Sequence, residues 1–265
     1  MIQLKIFRVN ELERRTFTGV NRMKKILSIV LFGLLIGLSF GAYAFYFDDK
    51  MKADKEHTIL ALGDSLTYGV GNLKEEGYVG KLESLLNTKS QNGTYSILNH
   101  GIPGQQSEGV LKQLAQPQIS EKVNEVDYVI LFIGTNDLRY SAGGDFQTIS
   151  ETTINKERSR YLDTINQIMT IIRQLDEEVP MIVVGLYNPF PEDRQLDLII
   201  EGWNDRLKKT VSHYPSITFV PTDDLFQNQS KKDYFSDSLH LNQNGYQLIA
   251  NRISKELMRG YGMTP

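Results

Sequence analysis

From residue 56 onward, short apolar runs bounded by Gly, Pro and polar residues alternate with longer stretches in which apolar positions recur every three to four residues. The apolar runs predict strands near 58–63, 95–99, 127–133, 181–186 and 217–220, and the periodic stretches predict helices near 77–88, 107–115, 155–177, 194–213 and 242–259. Strands and helices in alternation predict an α/β fold: a five-stranded parallel sheet with helices on its faces. Tyr128-Val129-Ile130-Leu131-Phe132-Ile133 is apolar at successive positions, as a central strand covered on both sides requires. No internal repeat or low-complexity segment interrupts the pattern, which predicts one domain over 56–265. The longest irregular piece, Leu138 to Ile154, contains Gly143-Gly144; a loop of that length beside a strand end predicts a lid that includes Leu138, Tyr140 and Phe146.

The amino-terminal pattern is different. Ile26 to Phe47 is a run of 22 residues without a charge, enough to cross the roughly 30 Å hydrocarbon layer as a helix. Arg22, Lys24 and Lys25 precede it, with Arg8, Arg14 and Arg15 upstream, so the positive-inside rule predicts a cytoplasmic tail over 1–25, a span over 26–47, a spacer over 48–55 and an exported remainder. The aromatic cluster Phe45-Tyr46-Phe47 suits the outer interface and favours a retained, single-pass signal anchor. Ala42-Tyr43-Ala44 has the form of a signal-peptidase site, and cleavage after Ala44, giving a secreted protein, is the alternative. Met23-Lys24-Lys25 resembles a translation start, which makes 1–22 an over-extended beginning. Gly33, Gly37 and Gly41 have the small-xxx-small spacing that permits weak self-association of membrane helices.

Charge and composition narrow the chemistry. The 265 residues are 40% hydrophobic and 23% charged, as in an ordinary globular chain. Residues 1–52 hold nine Lys/Arg against four Asp/Glu, leaving 20 against 28 in the rest. An acidic exported domain has no electrostatic footprint for nucleic acid. The absence of cysteine excludes disulfides, thiolate zinc sites, a cysteine nucleophile and a cysteine-linked lipid anchor.

Candidate chemistry begins at Thr58-Ile59-Leu60-Ala61-Leu62-Gly63-Asp64-Ser65-Leu66-Thr67-Tyr68-Gly69, an apolar strand that ends in a turn. It puts Ser65 at the carboxyl edge of the sheet, where open parallel sheets bind ligands. Ser65 is there either a helix cap or a nucleophile. A nucleophilic serine needs a base. His57, His100 and His213 read as surface or packing residues, whereas His240 follows Asp237 by three positions just before the last helix. That spacing lets a carboxylate hold one ring nitrogen while the other faces the serine. Donors for a developing oxyanion could come from Asn99-His100-Gly101-Ile102-Pro103-Gly104, through the Gly101 amide, and from Gly134-Thr135-Asn136-Asp137, through the Asn136 side chain. A turn at Gly101 and an Asx turn at Asn136 explain the same residues without chemistry. The Gly-x-Ser-x-Gly elbow of α/β-hydrolases is not satisfied, since Thr67 follows Ser65 by two.

Together, Gly63-Asp64-Ser65, Gly101, Gly134-x-Asn136-Asp137 and Asp237-x-x-His240 resemble the four sequence blocks of the SGNH hydrolases, the GDSL-type lipases and esterases, in family order and across essentially all of 56–265. The resemblance implies a flavodoxin-like three-layer α/β/α sandwich. It implies Ser65 as nucleophile, His240 as base, Asp237 as its orienting carboxylate and an oxyanion hole from Ser65, Gly101 and Asn136, with no metal or organic cofactor. The activity it implies is an extracytoplasmic serine ester hydrolase of a bacterium, Gram-positive by expectation. Lysophospholipid or short acyl esters are the first expected substrates, because the domain is tethered at a lipid surface and the lid brings Leu138 and Tyr140 to the substrate; a slot lined by Tyr187, Phe190 or Trp203 would hold the acyl chain. O-deacetylation of cell-wall or capsular polysaccharide is the alternative. A catalytically silent binding module on the same fold is the reading of another class.

Overall fold

The structure, a computed structural model, describes residues 24, 25, 27, 28, 30–47, 55–89, 93–144, 146 and 150–261. The expected tail over 1–22, the alternative start at Met23 and the spacer over 48–54 lie outside the described residues. The chain divides into two compact units, Met1–Ala53 and Asp54–Pro265.

In the first unit, helix α1 (Val30–Phe47) has a mean hydropathy of 1.9 over 18 residues, and is long and apolar enough to cross a membrane. At 1.5 Å per residue it spans about 27 Å. The large apolar side chains of α1 are exposed, and open space surrounds the Cα atoms of Gly33, Gly37 and Gly41.

The second unit is built on five parallel strands: β1 (Glu56–Gly63), β2 (Thr94–Gly101), β3 (Tyr128–Phe132), β4 (Met181–Val184) and β5 (Ile217–Val220), in the order β2-β1-β3-β4-β5. This is the flavodoxin-like order, whose switch point lies between β1 and β3. The strands are apolar on both faces because both faces are covered. Leu60, Leu62, Val129, Leu131 and Val183 pack under α4 (Ser107–Leu114), α5 (Pro117–Val123), α7 (Glu151–Leu175) and α8 (Arg194–Val211). Ile59, Ala61, Ile130, Phe132 and Val184 pack under α3 (Gly77–Lys89) and α10 (Gln243–Tyr261). Each fully buried Leu or Ile side chain contributes about 1.5–3 kcal/mol, so the sheet is the rigid part of the molecule.

The five strands and five longer helices fall where the hydrophobic pattern puts them. Four short helices do not: α2 (Ser65–Tyr68), α5, α6 (Thr135–Ser141) and α9 (Lys231–Tyr234). Each is seven residues or fewer, too short for a 3.6-residue period to repeat. Because α6 runs through Leu138–Ser141 and α7 starts at Glu151, the expected 138–154 loop contracts to 142–150.

β1 stops at Gly63 because only glycine fits there. A Cβ would lie 2.2 Å from Thr67 Oγ1 and 2.3 Å from the Phe132 carbonyl. Gly63→Ala is expected to overpack this junction and lower stability by about 1–3 kcal/mol, measured as a shift of the urea midpoint. An unchanged midpoint would show that the junction has slack.

Candidate active site

The site forms at the carboxyl edge of β1, β2 and β3. Directly after Gly63, Asp64 is the N-cap of α2: its Oδ1 accepts the Leu66 amide at 2.9 Å. Ser65 is therefore the first helical residue and its hydroxyl is not the cap. As the first residue of a helix, Ser65 has an N–H without an intrahelical acceptor. α2 ends at Gly69 in the left-handed region, φ 93°.

The Ser65 hydroxyl lies 2.9 Å from His240 Nε2, and His240 Nδ1 lies 2.7 Å from Asp237 Oδ2. Asp237 Oδ1 also accepts the amides of Leu239 at 2.8 Å and His240 at 2.7 Å. Partial burial alone would raise the Asp237 carboxyl; the two amides and the His240 ring outweigh it and hold the group below the ordinary carboxylate value. An ionised Asp237 fixes the proton on Nδ1, which leaves Nε2 free to accept the serine proton. The other histidines are elsewhere: His57 stacks on Tyr95 at 4.9 Å beside Asp127, and His213 is exposed at the end of α8.

The segment carrying Asp237 and His240 is pinned from below. The Tyr187 hydroxyl donates to the Leu239 carbonyl at 2.9 Å, and Lys231 Nζ donates to the Ser238 carbonyl at 2.8 Å while lying 3.9 Å above the Phe190 ring. The Ser236 amide closes the loop on the His240 carbonyl at 2.9 Å.

The two residues expected to donate to an oxyanion are placed differently. Asn136 sits in the first turn of α6, where its Nδ2 donates to the Gln105 carbonyl at 2.9 Å and lies 3.4 Å from Asp64 Oδ2. Gly101, by contrast, donates its amide to Asn99 Oδ1 at 3.0 Å. A Cβ on Gly101 would come within 2.3 Å of the Tyr68 nitrogen, so this glycine serves the close approach of β2 to α2. Three residues on, Gly104 has φ 79°, and its amide makes no hydrogen bond among the described residues. It adjoins Gln105, which Asn136 holds. Among the described residues the amide left open in this turn is thus that of Gly104, and the Pro103-Gly104 turn signal was its mark in the sequence.

Below the site lie two buried carboxyls. Asp64 is pushed up to about 7, chiefly by burial, with the Leu66 amide pulling it down and the charge of Asp137 pushing it up. Asp137 is also raised by burial, against the pull of Ser107, whose hydroxyl donates to it at 2.6 Å. That contact ties α6 to the start of α4.

A cleft of about 670 Å³ adjoins His240, with Arg139, Phe146, Phe190, Asp193 and Leu239 in its walls. Of the residues expected to bind substrate, Phe190 is in this lining. Leu138 and Trp203 are in the core, and Tyr187 is the buried prop already described. Tyr140 points to solvent beneath the Arg139 guanidinium. Among the described residues no group of three or more His, Asp or Glu is placed to hold a metal ion.

Residues 61–248 match the model of the GDSL-like Lipase/Acylhydrolase family. The chain belongs to this family. It is 30% identical to the Bacillus subtilis protein YpmR over 77% of its own length and 83% of that protein's. It is 28% identical to the spore germination lipase LipC of Bacillus licheniformis, over 76% and 95% of the two chains. The crystal structure of the lipase Lip_vut3 from goat rumen metagenome superposes with a TM-score of 0.69 at 28% identity, covering 78% of this chain and 98% of that one. This member of the GDSL family has the SGNH fold and is a carboxylic ester hydrolase.

The Asp64 carboxyl makes a pH-dependent prediction. With a value of about 7 folded against 3.8 as an ordinary aspartate, the folded state binds the extra proton between those limits, so stability falls as pH rises through that window. Asp64→Asn keeps the cap and removes the charge. It is expected to raise the melting temperature of this GDSL hydrolase at pH 8 and to leave it near the parent value at pH 4. An equal shift at both pH values would place the Asp64 carboxyl near 4.

Proposed function

We propose that this GDSL hydrolase is an extracytoplasmic serine esterase acting through an acyl-enzyme. The observation that carries the reading is the unbroken relay Asp237–His240–Ser65, at 2.7 and 2.9 Å, beside unpaired amides. Ser65 Oγ attacks the ester carbonyl as His240 takes its proton; the tetrahedral oxyanion is held by the Ser65 and Gly104 amides and the Asn136 side chain. His240 then protonates the leaving alcohol. Water enters, gives its proton to His240 and releases the acid from Ser65. Asp237 keeps the ring oriented throughout and steadies its charged form.

Lysophospholipid or short acyl esters are the proposed substrates. The lipase names of two relatives and the span-length helix α1 support this. The basic residues before α1 support a location with the hydrolase unit outside the cytoplasmic membrane.

Three measurements test the proposal on the full chain in detergent. Ser65→Ala is expected to abolish hydrolysis of a p-nitrophenyl acyl ester, and full activity in that variant would sink the mechanism. Asn136→Ala is expected to lower kcat by about 100- to 1000-fold, as loss of one oxyanion donor does; a loss below about threefold would make Asn136 structural. In an acyl-length series, activity is expected to persist beyond acetyl, and collapse at that point would favour a carbohydrate O-acetylesterase.

A further inference from the structure

The cleft adjoins the His240 end of the reacting pair. The walls include His240, Asp237, Ser238 and Leu239, and do not include Ser65, Gly104 or Asn136. In acyl transfer the base hands its proton to the leaving oxygen, so the alcohol departs on the side of the base. The cleft is therefore placed to take the alcohol half of the ester, which rests on His240 being the base.

The charges in that cleft are not equally committed. Asp237 is spent on His240 and two backbone amides. Asp193 caps α8, accepting the Leu196 amide at 3.0 Å, with its charge against the N-terminus of an 18-residue helix. Arg139 has committed Nε to the Gly144 carbonyl, and its guanidinium lies 5.7 Å from the Tyr140 ring centroid. Its two Nη groups meet no acceptor among the described residues. Lys231 adds positive charge behind the Phe190 wall, donating one hydrogen bond to the Ser238 carbonyl, and is not itself part of the cleft lining. Among the described residues Arg139 is thus the cation in the cleft lining with donors to spare, and a guanidinium fork matches the paired oxygens of a phosphate or carboxylate.

We propose that Arg139 is a specificity-determining residue: it recognises an anionic group, phosphate or carboxylate, on the alcohol of the ester, so that the preferred substrates are acyl esters of small anionic alcohols. Asp193 and the aromatic pair Phe146 and Phe190, with ring centroids 5.8 Å apart, make a cationic alcohol the competing choice.

The test compares water-soluble hexanoyl esters that differ only in the alcohol: glycerol, glycerol 3-phosphate, glyceric acid and choline. The full chain is expected to favour the phosphate or the carboxylate ester over the glycerol ester by at least about tenfold in kcat/KM, as a site built around a polar partner does. The two anionic arms tell which group is read. Arg139→Met is expected to cut the anionic-to-neutral ratio by at least about tenfold, with Arg139→Lys intermediate. Free glycerol 3-phosphate or glycerate should inhibit hydrolysis of the glycerol ester competitively, and glycerol should not; this arm needs no variant. A parent ratio near one, a preference for the choline ester, or equal loss on every ester in Arg139→Met overturns the proposal. Failure of the serine mechanism has a separate signature, hydrolysis that survives Ser65→Ala whatever the alcohol.

Discussion

A serine hydroxyl is inert as a nucleophile until a base lies within hydrogen-bonding distance, and in this chain the imidazole at that distance from Ser65 is 175 residues away in sequence. The 2.9 Å contact between Ser65 and His240 is the constraint that the rest of the second unit meets. On one side, Ser65 has little freedom: Gly63 is pressed between Thr67 and the Phe132 carbonyl, and Asp64 caps the turn that carries the serine. β1 lies between β2 and β3 with apolar residues on both faces, so the base of that turn cannot shift without opening the core. On the other side, His240 stands on a loop outside the named strands, and six polar contacts do the same task. Asp237 grips the ring and two amides, Tyr187 holds the Leu239 carbonyl, Lys231 holds the Ser238 carbonyl, and Ser236 closes the loop.

The polar layer beneath the serine follows from the same constraint. An oxyanion site needs donors that are fixed before charge develops, and a fixed donor must be held by something other than its future ligand. Asn136 is held by the Gln105 carbonyl, and Asp137, one position on, anchors α6 to Ser107. The cost is two buried carboxyls, both raised by desolvation. A neutral Asp64 can cap α2 while placing no negative charge beside the Asn136 amide.

Much of this was legible in the sequence, and the parts that were not share a cause. Strands buried on both faces are runs of Val, Ile, Leu and Phe, a pattern that survives without tertiary information; β3 is the clearest case. Asp237 and His240 were legible because their contact is local, three residues apart, while Ser65 was legible because a strand end placed it. That the Gly101 amide is already taken was not legible, because the taker, Asn99, acts through a bend that no residue spacing reveals. Likewise Leu138, Tyr187 and Trp203 are apolar or aromatic near the site in sequence, yet what decides between wall and core is the helix α6 and the packing of Trp203 on Tyr161, ring centroids 5.3 Å apart. Arg139 drew no notice because one arginine in a polar stretch has no pattern at all.

These differences separate two kinds of residue. The groups that hold the relay sit on strand ends or are tied to them, whereas the cleft borrows Gly144 and Phe146 from the segment between α6 and α7. Phe146 has φ 66°, a left-handed conformation costly for a bulky side chain, and it is kept there by its edge-to-face contact with Phe190. A wall of that kind can change length or composition without disturbing Ser65, His240 or the sheet under them. The same catalytic frame can therefore serve different alcohols, and family membership fixes the reaction while leaving the choice of ester to the cleft walls.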